Sequence, residues 1–102
     1  MDYKGIFNVA QQKGYKPFHS INRLLSKPLI YEKLLYMELC LIQKWFRDDL
    51  KIEIIISKHF ETSYPECWGY QINPIHGYRI FNECWTYEEA LIEGIYQGLK
   101  LI

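Results

Sequence analysis

Glu-Cys-Trp occurs twice, as ECWGYQI at Glu66–Ile72 and as ECWTYEEALIEGIYQGLKLI at Glu83–Ile102. Thiolates are nucleophiles and metal ligands, so a repeated cysteine motif is the first place to look for chemistry. Three arrangements fit Cys67 and Cys84. They can be packed thiols beside packing tryptophans, since free cysteine behaves as a small hydrophobe. They can form a cross-strand disulfide, which a reducing compartment opposes. They can join His59 and His76 in a zinc site, because zinc prefers S and N ligands. The chain has three cysteines, an odd number, and no C-x-x-C knuckle. The reading adopted is packed thiols, with no metal and no cofactor.

Glu38 is the other residue of interest. It falls inside the apolar arc of a helical stretch, where a carboxylate needs a partner. A tyrosine hydroxyl, Arg23 or Arg79 would serve. A buried carboxylate can also act as a general acid or base, but no second catalytic group is set by spacing. His19, His59 and His76 are scattered and read as surface residues. There is no Gly-rich phosphate loop, nucleophile elbow or H-E-x-x-H motif. No catalytic residue is assigned, and the chain is read as a non-enzyme.

These residues need a scaffold, and 102 residues supply one small domain. Twelve basic residues balance twelve acidic ones. That lowers the expectation of nucleic-acid binding, which relies on clustered cations. No apolar run suits a signal peptide or a membrane span. A cytoplasmic protein without membrane association is expected.

Residues 1–25 read as an N-terminal arm or short helical segment. Asp2 can cap a helix over 3–13 with Gly14 as its C′ residue, and a second short helix fits 20–25. Residues 26–102 read as a single α-β-β-β-α domain. Ser26-Lys27-Pro28 signals a helix start, and the apolar pattern runs from Leu29 to about Asp48. Alternation in LKIEIIISKHF puts Leu50, Ile52, Ile54 and Ile56 on one face of a strand. Trp68, Tyr70 and Ile72 share one face of the next strand, and YRIFNECW forms a third. Asn73–Gly77 is the turn between them. A hairpin centred there would set Cys67 opposite Cys84, Trp68 opposite Glu83 and Glu66 opposite Trp85. Thr86-Tyr87-Glu88-Glu89 is a capping box opening the last helix. In that helix Ala90, Gly94 and Gly98 recur at four-residue spacing. Each glycine costs about 1 kcal/mol relative to alanine, so close approach to bulky strand side chains is expected.

The expected fold is therefore α+β: a three-stranded antiparallel sheet packed on two main helices on one face. The other sheet face stays open. Tyr78, Arg79, Phe81 and Trp85 are its candidate interface residues. Such a surface suits a protein partner or a homodimer. The alternative is a nucleic-acid-binding module using that face, or the basic N-terminal segment with Lys4, Lys13, Lys16, Arg23 and Lys27.

The order α-β-β-β-α resembles the double-stranded RNA-binding domain, which implies a similar fold. That family opens its last helix with lysines, whereas Thr86–Ala90 is acidic here, so RNA binding does not carry over. Thr86–Ala90 is also similar to the T-x-E-E-A helix start of HicB-type antitoxins. Residues 39–102 resemble small uncharacterised proteins of Bacteroides genomes, phages and mobile elements. The matching features are Gln43–Arg47, the isoleucine-rich strand, the tyrosine-rich hairpin and the terminal YEEALIEGIYQGLKLI. This resemblance implies a mobile-element setting and an accessory or regulatory role.

Overall fold

The structure, a computed structural model, describes residues 3–58, 68–73, 76–81 and 86–102, with 76–81 as backbone. The elements are α1 (Tyr3–Gln12), α2 (Ile21–Ser26), α3 (Glu32–Asp49), β1 (Glu53–Lys58), β2 (Trp68–Asn73), β3 (His76–Phe81) and α4 (Tyr87–Lys100).

The expected architecture needs correction. Among the described residues there are four helices, in the order α-α-α-β-β-β-α, rather than two main ones with a short helical segment before them. The regular part of the sheet is a two-stranded antiparallel ladder: β1 and β2 pair residue for residue from Glu53↔Asn73 to Lys58↔Trp68. β3 adds to the edge of β2, with three pairs among the described residues and an irregularity between Tyr70 and Ile72. Gly69 pairs with Phe81 and Tyr70 with Ile80. The register inferred from the turn, carried along the strands, would have set Tyr70 opposite Phe81. Between Tyr70↔Ile80 and Ile72↔His76 one residue of β2 faces three of β3, a slip that turn composition does not encode.

The first 25 residues belong to the core. Ile6, Phe7 and Ala10 of α1 are fully buried, in one cluster with Leu39 and Phe46 of α3, Ile54, Ile72, and Leu91 and Ile95 of α4. α1 lies on α4, and α4 lies across β1 and β2. A loop leaves α1 through Gly14, whose φ of 109° suits a residue without a Cβ. The amide of Tyr15 then bonds the Ala10 carbonyl at 3.0 Å, closing the helix end.

α3 begins at Glu32, three residues later than the proline signal suggests. The Lys27 carbonyl accepts from the amides of Ile30 and Tyr31, both at 3.1 Å, so residues 27–31 form a turn. The inward face of α3 carries Leu35, Glu38, Leu39, Ile42 and Phe46. Its end has no glycine. Lys51 takes the left-handed conformation instead, with φ 58°, and the Ile52 amide bonds the Phe46 carbonyl at 3.0 Å. Gln43 donates to the Ile54 carbonyl at 2.6 Å, tying α3 to an edge strand.

α4 starts at the capping box. The Glu89 amide donates to Thr86 Oγ1 at 3.2 Å, and the Thr86 amide donates to Glu89 Oε1 at 3.0 Å. Its buried face holds Ala90, Leu91, Gly94, Ile95, Gly98 and Leu99. Tyr87, in the first turn, is 37% exposed and meets Trp68 edge-on at 5.2 Å. Among the described residues, no helix is long and apolar enough to cross a membrane.

Candidate functional site

Glu38 is completely buried, on the inward face of α3. Tyr15 Oη donates to its Oε2. The His19 amide donates to Oε1 at 2.8 Å, and His19 Nδ1 lies 3.1 Å from the same oxygen. Among the described side chains, the expected tyrosine hydroxyl is found, from Tyr15. Arg23 instead stands over the Tyr31 ring, 5.7 Å from its centroid. His19, expected at the surface, is drawn inward by this contact, and its side chain is 25% exposed. Both carboxylate oxygens are taken by groups of one loop, so Glu38 pins residues 15–19 to α3.

That anchorage explains the next feature. With Tyr15 and His19 held inward, Phe18 is turned out and is 80% exposed. Its ring meets His19 edge-on at 5.2 Å. Across α2, the 27–31 turn leaves Leu29 91% and Ile30 71% exposed. Both sites follow a Lys-Pro pair, Lys16-Pro17 and Lys27-Pro28. The residue before proline is held out of the helical region and the proline fixes φ, so each pair carries its following apolar residue away from a helix.

Phe18 separates two concavities. One, of about 310 Å³, is lined by Phe18, His19, Arg23, Leu24, Tyr31 and Leu34. Leu29 and Ile30 immediately precede its Tyr31 wall. The other, of about 460 Å³, is an open cleft between the loop and α3, where Lys16, Lys44, Asp48 and Asp49 surround Leu41 and Trp45. Trp45 packs on Tyr15 and Phe46, with centroids at 5.7 and 5.2 Å.

A second polar cluster joins α1, α3 and α4. Tyr3 Oη donates to Glu88 Oε1. Burial, then Cys40 and the nearby Tyr87 and Glu88, push Tyr36 up to about 12, and burial also pushes the Cys40 thiol up. A thiol held protonated is a poor nucleophile. Among the described residues, no group of three or more His, Cys, Asp or Glu could hold a metal.

Tyr3 and Tyr15 are both pushed well above the usual tyrosine range. Burial is the main cause, followed by the hydrogen bond to Glu88 or Glu38 and the charge of that carboxylate. A folded-state value above the unfolded one stabilises the fold in full below the unfolded value, near 10, and is lost as pH rises beyond it. The melting temperature should therefore fall steadily above about pH 10. Tyr15→Phe should flatten that fall in a pH series of melting curves. An unchanged slope would mean that Tyr15 ionises freely in the fold.

Tyr78, Arg79 and Phe81 lie in β3, described as backbone, and Trp85 lies outside the described residues. So do His59, Glu66, Cys67, Glu83 and Cys84, and with them the disulfide and zinc alternatives. His76 is the first residue of β3. Phe18, Leu29 and Ile30 escaped the sequence reading. Leu29 and Ile30 look like a helix start, and only the repeated Lys-Pro-apolar pattern hints otherwise. No family model matches this chain, and no curated protein or solved structure matches it either.

Proposed function

We propose that this chain is a non-enzymatic protein-binding module of the cytoplasm, engaging its partner through the surface of Phe18, Leu29 and Ile30. The observation that carries this reading is their exposure, at 80, 91 and 71%, beside a formed groove. Single exposed apolar residues are ordinary, but here Phe18 lines a concavity and Leu29 and Ile30 adjoin its Tyr31 wall in sequence, a combination that suits an interface. The frame beneath it is braced by Glu38, so binding would cost little ordering. The accessory role and the phage or mobile-element setting rest on the sequence resemblance of residues 39–102.

Affinity capture of the tagged full chain from host lysate, with and without nuclease, tests the reading. A stoichiometric protein should survive nuclease and be lost with the double variant Leu29→Ser/Ile30→Ser. Because both side chains are exposed, that variant should keep its stability within about 0.5 kcal/mol. A partner retained by the variant would remove this surface from the reading. Partners released by nuclease would favour nucleic-acid binding instead.

A further inference from the structure

The neutral total charge conceals an asymmetry. Residues 3–31 contain Lys4, Lys13, Lys16, Arg23 and Lys27, and no aspartate or glutamate. The compensating negative charge lies in the rest of the chain. Lys16, Arg23 and Lys27 are all exposed, and they flank the apolar surface: Lys16 precedes Pro17-Phe18, Lys27 precedes Pro28-Leu29, and Arg23 lines the groove. Lys33 adds a further exposed cation just beyond it, beside Glu32. Glu38 is fully buried and bonded to Tyr15 and His19, and Asp48 and Asp49 line the neighbouring cleft with Lys16, on the other side of Phe18.

We propose that this groove receives an acidic amphipathic segment of a partner protein. One apolar side chain of the segment enters between Phe18, Leu24, Tyr31 and Leu34, and Leu29 and Ile30 cover its neighbours. Carboxylates beside that anchor meet Arg23, which lines the groove, and the exposed Lys27. A buried apolar anchor supplies affinity, while complementary charges at the rim select the partner and speed encounter. The concavity separates this occupant from an anionic lipid surface, which cannot send a side chain into a groove. Phe18, Tyr31 and Arg23 offer planes on which a base could also stack, but the exposed aliphatic Leu29 and Ile30 do not, and that favours a peptide. The inference rests on the protein-binding reading and adds the chemistry of the partner.

A random dodecapeptide display library selected on the full-length protein tests it. Enriched peptides should share a Leu, Ile, Phe or Trp anchor flanked by Asp or Glu. A synthetic peptide of that sequence should bind about tenfold more weakly to Leu29→Ser/Ile30→Ser, and to Arg23→Glu, than to the wild type. Replacing its carboxylates with lysines should restore binding to Arg23→Glu. Rising salt should weaken the wild-type complex, because rim charges are screened. Neutral or basic enriched peptides, no enrichment, or indifference to Arg23→Glu would each overturn the proposal. So would sedimentation with phosphatidylserine vesicles, or a concentration-dependent dimer, abolished by these variants in the absence of peptide binding. If the lysate partner still depends on Leu29 and Ile30 while the peptides are not acidic, the surface stands and only the partner chemistry falls.

Discussion

Replacing Glu38 with alanine should destabilise the protein by about 3 kcal/mol, read as a lower denaturant midpoint in urea. The substitution removes the acceptor for Tyr15 Oη and for the His19 amide. A buried donor left without a partner costs about 1–3 kcal/mol. A cavity adds to that, since the neighbours of Glu38 on α3 are the fully buried Leu35, Leu39 and Ile42. Glu38→Gln should cost less, about 1–2 kcal/mol, because its amide oxygen still accepts while its NH2 meets a donor. If alanine costs under about 1 kcal/mol, the carboxylate does not brace the loop. A functional consequence follows: the loop that Glu38 holds carries Phe18. Glu38→Gln should therefore weaken partner binding even under conditions where the protein remains folded.

Gly94→Val should cost about 3 kcal/mol, although glycine is a poor helix former. A Cβ at position 94 would lie 2.9 Å from Ile54 Cγ2 and 3.1 Å from Tyr70 Cβ. Tyr70 Cβ is fixed to a strand backbone and cannot retreat. Gly94→Ala sets the same clash against a helical gain of about 1 kcal/mol, and should come out about 1 kcal/mol destabilising. Gly98 supplies the internal comparison. Its added Cβ would meet Ile54 Cδ1 and Phe46 Cζ, both at 3.1 Å. Those are the far ends of side chains, which shift more readily, so Gly98→Ala should be nearly neutral. A more stable Gly94→Ala variant would show that α4 can move off the sheet at little cost.

Several elements are legible in the sequence because their causes are local. Thr86 and Glu89 form their capping box within one turn, so the start of α4 can be read off four residues. Strand faces follow from alternation: Ile54 and Ile72 are buried and directly paired, as the period of two requires. The four-residue spacing of Gly94 and Gly98 signals close approach, and Ile54, Tyr70 and Phe46 are what lies there. Gly14 ends α1 because a left-handed residue is needed at that point.

The sequence by itself thus determined the capping box of α4, the glycine end of α1, the strand faces, the glycine contacts and the need of Glu38 for a partner. Tertiary structure decided what that partner is, because Tyr15 and His19 reach Glu38 across a loop with no periodic signal. It decided the strand register, where one irregularity beside Tyr70 outweighs the turn residues. It also decided which apolar residues stay outside. Phe18, Leu29 and Ile30 are as hydrophobic as any in the core. They are exposed because Lys-Pro steps turn their backbone away, and because the core is already filled by Ile6, Phe7 and Leu24 from the same N-terminal third. Burial is a property of the whole packed chain, so residue type alone does not assign it.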